Sequence, residues 1–380
     1  MAIGESSHGV LADLPDAVIL EDTGTVDDGA VAHFGSPARE ERALRSGRAF
    51  TDLSHVDVVR VSGPDRLEWL NSLTTQNLIE LEPGISTETI LLGPSGHIEN
   101  AAAVIDDGAA TWLITDAGFG APFADFLSSM RFMKRVEVAP EPEIGAFGAM
   151  GEAAHVMADC AMLGADGRPL VWHDPWPNTA PNGVTYGPRD AEHPGAQWDA
   201  HIALIPLSKQ SAAVEKLRSG GIEAAGLLAW EAARVTAWRP RPAAEIVENV
   251  LPHELDWLRT AVHLHKGCYR GQEAVAKVVN MGKPPRRLAM LYLEGPVDEL
   301  PHGGDDVVHE GRAVGIITSA VRDAVDGPVA LALIRRSVPV EAVVEVGNFR
   351  AGQEAIVNPA GTSSATPATR PGAEFRRKLL

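Results

Sequence analysis

The stretch LHKGCYRGQEAVAKV, residues 264–278, holds Cys268, one of only two cysteines in the chain. Gly267 and Gly271 bracket the thiol, and Lys266 and Arg270 flank it. A cysteine acts as nucleophile or metal ligand in its thiolate form. Neighbouring cations and the exposed N–H groups of a helix N-terminus favour that form. QEAVAKVV is made of good helix formers, so a helix starting near Gln272 would put Cys268 in the turn before it. The preceding HELDWLRTAVHLHKG reads as a helix stopped at Gly267 by a left-handed cap. This is a setting for a reactive cysteine. Against it stands the common use of cysteine as a small buried hydrophobe, and composition alone leaves the two readings level. Cys160, in HVMADCAML, lacks flanking cations and reads as core.

His263, His265 and Cys268 form a loose H-x-H-x-x-C. A structural zinc site needs four ligands, and no second cysteine pair accompanies these three, so no metal site is read here. Charge is more telling. From Lys266 to Arg287 there are six Lys or Arg and one acid, Glu273, in a chain whose net charge is -18. Charge runs are usually solvated faces. A basic stretch beside a glycine-hinged thiol also fits an anionic ligand, to which Arg234, Arg239 and Arg241 would add if the fold brings them near. The G-x-x-x-x-G-K-[ST], G-x-S-x-G and H-E-x-x-H patterns are absent.

The elements that must position these residues can be read coarsely. VDVVRVSG (56–63) is a β-branched strand, and SGPDRLEWLNSL opens a helix with Ser62 as cap and Pro64 in its first turn. TETILLG, GHIENAAAVID and ATWLITD read as strands, and PFADFLSSMRFM as a helix. PLSKQSAAVEKLRSGG is a helix capped by Ser208 and stopped at Gly220, and residues 224–238 form another. After residue 285, short strands between Gly/Pro/Asp turns have the pattern of a small β-barrel. The expected organisation is an acidic irregular lead-in over 1–35 and a folded region over 36–284, in two lobes divided near 140–150. A barrel follows over 285–357, then a disordered Ser/Thr/Pro/Ala-rich tail over 358–380.

The length suffices for two or three domains, and the acidity argues against a general nucleic-acid binder. Two cysteines make no disulfide framework. The N-terminus lacks the pattern of a signal peptide, and no apolar run approaches the length of a membrane span. The expectation is a cytoplasmic monomer with no membrane or nucleic-acid partner.

KGCYRGQE resembles the K-G-C-Y-x-G-Q-E signature of the YgfZ family of folate-binding proteins, relatives of the glycine-cleavage aminomethyltransferase, the T-protein. DLSHVDVVRVSGPDRLEWLNSLTTQNL (52–78) is similar to the start of the T-protein-type domain. GRAVGIITSA with GPVALALIRR is similar to its C-terminal barrel. The resemblance runs from about residue 45 to 350. It implies an α+β fold in a three-lobed, T-protein-like arrangement, with a central cavity for tetrahydrofolate or a one-carbon derivative and a small C-terminal β-barrel. It also implies a role in making or maintaining iron–sulfur clusters, hence client or assembly proteins as partners. By the motif, Cys268, Lys266, Tyr269, Gln272 and Glu273 are carried over as acting residues, with Arg270 beside them as a folate contact. WEAARVTAWRPR stands where the T-protein has its LEAG helix, which makes Glu231 and Arg234 folate-cavity residues. Glu254, in LPHELDW, and Asn77 join them.

One departure bears on activity. The T-protein has a G-x-I-D-D strand whose aspartate acts in aminomethyl transfer, and here GHIENAAAV puts Glu99 and Asn100 at those places. An amide can hydrogen-bond a folate ring nitrogen but cannot serve as a carboxylate base. The preferred reading is therefore a tetrahydrofolate-binding accessory factor for iron–sulfur proteins that uses Cys268 near the cavity mouth. The alternatives are a folate-dependent one-carbon transferase and a non-catalytic docking scaffold.

Overall fold

The computed structural model describes residues 9–280 and 282–366. It is a mixed α+β structure of two five-stranded sheets and a closed six-stranded barrel, with a short two-stranded ribbon ahead of them. The first sheet takes its strands in the order Ser86–Leu92, Ile98–Asp106, Ala110–Thr115, Asp57–Ser62, Glu137–Pro140, all antiparallel. Both of its faces are covered. Val59, Val61, Val104 and Leu113 pack under the helices Arg66–Leu73 and Gly120–Ser129, while Val58, Ala101, Ile105 and Ile114 face a central core. With no solvated face, the strands lose the usual alternation of apolar and polar residues, and Ala110–Thr115 is buried throughout.

The second sheet runs Val171–His173, Ala200–Pro206, Ile144–Met150, Ala49–Asp52, Glu223–Ala225. Its outer face, with Phe50, Phe147, Ala203 and Ile205, packs on the helices Gly151–Ala158 and Gln210–Ser219. Its inner face, with Ala49, Ala146, Ala200 and Leu204, joins the central core. Ala49–Asp52 belongs to this sheet although it precedes the first sheet in the chain, so the two sheets do not divide simply near 140–150. The helix Leu227–Thr236 lies in the central core, and Gly148 lets it approach the second sheet. A Cβ at Gly148 would stand 2.6 Å from the Trp230 ring. The barrel, Arg286–Glu294 to Phe349–Ala355, closes around its own core of Leu291, Val307, Ile317 and Ile334.

Three local expectations change. Ser62 ends a strand instead of capping a helix. The helix starts at Arg66, after Gly63 turns the chain with φ +109, and Asp65 spends its carboxylate on Arg135. No helix runs through HELDWLRTAVHLHKG. Asp256 takes a left-handed conformation after the 3-10 turn Pro252–Leu255, and the helix Leu258–Ala261 gives way at Val262 to extended chain held by Thr75. The segment expected as irregular lead-in contains the 3-10 turn Val10–Asp13 and a ribbon of Val18–Ile19 with Val31–His33, while residues 1–8 lie outside the described residues. Of the expected disordered tail, 367–380 also lies outside them. Among the described residues no helix is long and apolar enough to cross a membrane.

Two buried histidines make the fold acid-sensitive. Burial pushes His253 down to about 4, and burial, then Arg259, pushes His193 down to about 3. In the unfolded chain both take a proton near pH 6.5. The unfolded state then binds more protons across this window, so stability is full above about pH 6.5 and falls as pH drops toward 4 and 3. The melting temperature should therefore fall steeply below about pH 6.5, and His253→Gln should flatten part of that fall.

Candidate functional site

Where the inner faces of the two sheets meet the helix Leu227–Thr236, they leave a cavity of about 110 Å3. Its walls include Trp172, Trp198, Trp230 and Trp257, four of the eight tryptophans of the chain. Its polar wall holds Glu88, Asp116, Asp174 and Glu231 among Arg234, Arg239 and Arg241.

Every one of these arginines is already paired. Arg239 donates from Nη2 to Glu88 Oε2 at 2.6 Å and from Nε to Asp174 Oδ2 at 2.8 Å. Arg241 meets Asp27 at 2.8 Å, Asp116 at 3.1 Å and Glu231 at 3.1 Å. Arg234 meets Glu231 at 2.7 Å and Glu245 at 3.1 Å, and donates to Ser319 Oγ of the barrel at 2.7 Å. Burial opposes ionisation of Asp27, but hydrogen bonds from His55 and Arg241 and the Arg241 charge hold its carboxyl well below the usual range. For Glu231 burial likewise opposes ionisation, and Arg234 and Arg241 overcome it. Asp27 and Glu231 thus stay ionised, and every arginine in the wall already has a carboxylate partner.

The residues expected from sequence separate into groups. Glu231 and Arg234 do wall this cavity. Glu99 and Asn100 do not. The register slips between Leu91 and Leu92 opposite them, and in this bulge Glu99 turns out to solvent. Asn100 turns the other way. Its Nδ2 donates to the Phe119 carbonyl at 2.7 Å and its Oδ1 accepts from Thr115 at 3.3 Å. The strand meets the cavity with Ala101, Ala102 and Ala103. Glu254 is fully buried elsewhere, clamping Arg286 at the start of the barrel by a 2.9 Å ion pair. Asn77 lines a second cleft of about 830 Å3 together with His173, Asn182 and His263.

None of Lys266 to Glu273 is among the residues that wall the central cavity. The motif instead folds against the hairpin at residues 93–96. Gly271, at φ +81, lies so close that a Cβ would stand 2.7 Å from the Gly93 carbonyl oxygen. Gly96, at φ +82, faces Ala274 as tightly. The helix Gln272–Asn280 then begins, so Cys268 does sit ahead of a helix N-terminus, exposed. Cys160 is half-buried, and burial pushes its thiol up.

The flanking cations do not converge on the thiol. Lys266 Nζ donates to the carbonyls of Asn71, Thr74 and Gln76, each at 2.6 Å, closing the C-terminal end of the helix Arg66–Leu73. Burial pushes its ammonium down to about 7, while three carbonyls and the negative helix end favour the charge. Arg270 meets Glu99 at 2.7 Å and lies over the Phe126 ring. Tyr269 is buried under Lys266, Gln272 Nε2 donates to the Lys266 carbonyl at 3.3 Å, and Glu273 is exposed. Farther along the basic stretch, Arg286 is held by Glu254. Arg287 is fully buried and donates to Gln353 at 2.8 Å, and only Lys277 and Lys283 remain exposed. The stretch is thus mostly internal bracing.

The tryptophan cage and Glu88, Asp116 and Asp174 were missed by sequence reasoning. The signal available was local: WHDPWP concentrates two tryptophans and an aspartate in a chain with only 5% aromatic residues.

Comparison with known proteins agrees with this architecture. No family model matches the chain. A chloroplastic protein of Arabidopsis thaliana, named by inference as a transferase, is 26% identical over 313 residues, covering 81% of this chain and 69% of that protein. An aminomethyltransferase of Streptomyces coelicolor is 24% identical over 312 residues, covering 79% and 82%. The crystal structure of the glycine cleavage system aminomethyltransferase T from Bartonella henselae superposes with a TM-score of 0.71 at 19% identity. That match covers 92% of this chain and 94% of that one. The chain has the T-protein fold, and its sequence relatives carry transferase names.

Lys266 and Cys268 should part company on mutation. Lys266→Met leaves three buried carbonyls without a donor and should cost ~1–3 kcal/mol in a denaturation experiment. Cys268→Ala should stay within ~0.5 kcal/mol, because the thiol is exposed and bonded to nothing among the described residues.

Proposed function

We propose that the chain is a tetrahydrofolate-binding accessory protein of the YgfZ type, serving iron–sulfur proteins through Cys268. The observation that carries the folate half is the central cavity. Flat aromatic walls suit the face of a pterin, and Glu88, Asp116, Asp174 and Glu231 suit its N–H donors. At about 110 Å3 the cavity is smaller than the roughly 300–1,000 Å3 of typical small-molecule sites. It therefore takes the ring end of a folate, and the remainder extends through the open side. Because the wall arginines are all paired, a polyglutamate tail draws no affinity from them. Bound folate would supply ring nitrogens able to carry a one-carbon unit, while this chain's own residues stack on the ring, accept its N–H groups and exclude water.

A one-carbon transferase is favoured by the names of the sequence relatives. The strand Ile98–Asp106 weighs against it, since its share of the cavity wall is three alanines and Asn100 is occupied with Phe119 and Thr115. The thiol half rests on the KGCYRGQE motif and on the exposure of Cys268 ahead of a helix.

The test has two arms. Tetrahydrofolate, added anaerobically under reducing conditions, should raise the melting temperature in a dose-dependent way, and no shift at saturation removes the folate half. In a cell-based iron–sulfur enzyme assay Cys268→Ala should abolish function while leaving that shift intact, and full complementation by the variant removes the thiol half. Turnover with a methylene donor would move the assignment to the transferase.

A further inference from the structure

The second sheet carries a group of ligands that neither the cavity nor the cysteine motif uses. His173 ends the edge strand Val171–His173, and His201 stands directly opposite it on the antiparallel neighbour Ala200–Pro206. Asp199 precedes that neighbour by one residue. His173 Nε2 lies 3.1 Å from Asp199 Oδ1, and His201 Nδ1 lies 3.9 Å from the same oxygen. One ligand atom from each of the three residues falls within 4.8 Å of the others.

We propose that His173, Asp199 and His201 form a binding site for a borderline divalent transition-metal ion such as Zn2+, with the remaining coordination positions open to exchangeable ligands. The donor set decides the class of ion. Two imidazoles and one carboxylate suit Zn2+, Co2+, Ni2+ or Cu2+, whereas Ca2+ and Mg2+ call for oxygen ligands throughout.

The backbone fixes the distances. Opposed residues on an antiparallel pair are the closest approach two strands offer, and the His173 N–H is held further by Ser86 Oγ at 2.8 Å. Ligands at about 2.1 Å from a tetrahedral ion stand about 3.4 Å apart. The His173–Asp199 spacing of 3.1 Å is close to this, and His201, 3.9 Å from Asp199 and within 4.8 Å of His173, must move inward to complete the set. The two imidazole rings lie parallel with centroids 4.3 Å apart, so one ring turns out of the stack to aim its lone pair at the ion. His173 and Asp199 are about half exposed and free to make that adjustment. His173 also lines the 830 Å3 cleft, so the open positions adjoin a space large enough for a further ligand. The three ligands are distinct from His263, His265 and Cys268, and His263 lines the same cleft as His173.

The full-length chain, stripped with a chelator, is titrated with Zn2+ by calorimetry and with Co2+ by visible absorption at pH 7.5. One equivalent should bind, and Co2+ should show the absorption bands of an imidazole-containing site. His173→Ala, His201→Ala and Asp199→Asn should each weaken binding by more than about ten-fold, the loss that removing even an outer-shell partner brings. Their metal-free melting temperatures should be unchanged. Cys268→Ala and His265→Ala should bind as the parent does. Absence of binding to the parent overturns the proposal, as does binding that survives the His173 and His201 substitutions or is lost with Cys268→Ala. Should an alanine variant fail to fold, the near-isosteric Asp199→Asn alone decides.

Discussion

The molecule is organised around three buried guanidinium groups. Arg234, Arg239 and Arg241 all come from the helix Leu227–Thr236 and the five residues after it. Besides Glu231 on the same helix and Glu245 shortly after it, their partners come from the other parts of the molecule: Glu88 and Asp116 from the first sheet and its margin, Asp174 from the end of the second sheet's edge strand, Asp27 from the N-terminal ribbon and Ser319 from the barrel. Bringing such charges out of water is costly, and a well-packed apolar set of the same volume is often as stable or more so. What the array provides is direction. Each arginine fork accepts only partners in its plane, so the lobes meet in one arrangement. Removing one partner of a buried pair costs about 3–5 kcal/mol, which penalises any other assembly.

The cavity follows from this arrangement. Charged side chains held by one another cannot fill the space between the sheets, and the tryptophans that pack around them leave a flat-walled gap. Arg239 itself lies over the rings of Trp176 and Trp257, so the aromatic and ionic walls brace each other. The motif that dominates a first reading of the chain is built differently. Its lysine closes a helix end, its arginine meets a bulged glutamate and its glycine lets two turns touch. The cavity and the motif share the strand Ile98–Asp106, with Glu99 at one and Ala101 at the other, about 7 Å apart along the chain.

Much of the layout was legible in sequence. The β-branched strand at 56–63, the helix read over 122–133 and found at Gly120–Ser129, and the barrel after 285 carry periodicity strong enough to survive packing. Glu231 and Arg234, expected through the resemblance of their helix, line the central cavity. The rest turned on contacts between residues far apart in the chain. HELDWLRTAVHLHKG has helical composition, yet Asp256 turns left-handed and binds Arg259 and the Tyr186 N–H, and that tertiary network overrides propensity. The basic stretch from Lys266 to Arg287 looked like a ligand surface because its acid partners, Glu99 for Arg270 and Glu254 for Arg286, and the carbonyls that hold Lys266 lie outside it in the chain. A one-residue bulge decided where Glu99 and Asn100 point, and a strand pattern carries no sign of it.

We propose that folate occupies the arginine-braced cavity and not the cysteine motif. Hydrogen–deuterium exchange read by mass spectrometry, with and without tetrahydrofolate, distinguishes the two places. Tetrahydrofolate should slow exchange in residues 98–116 and 227–242 and leave 264–273 unchanged. Protection confined to 264–273, or no protection anywhere, would contradict it.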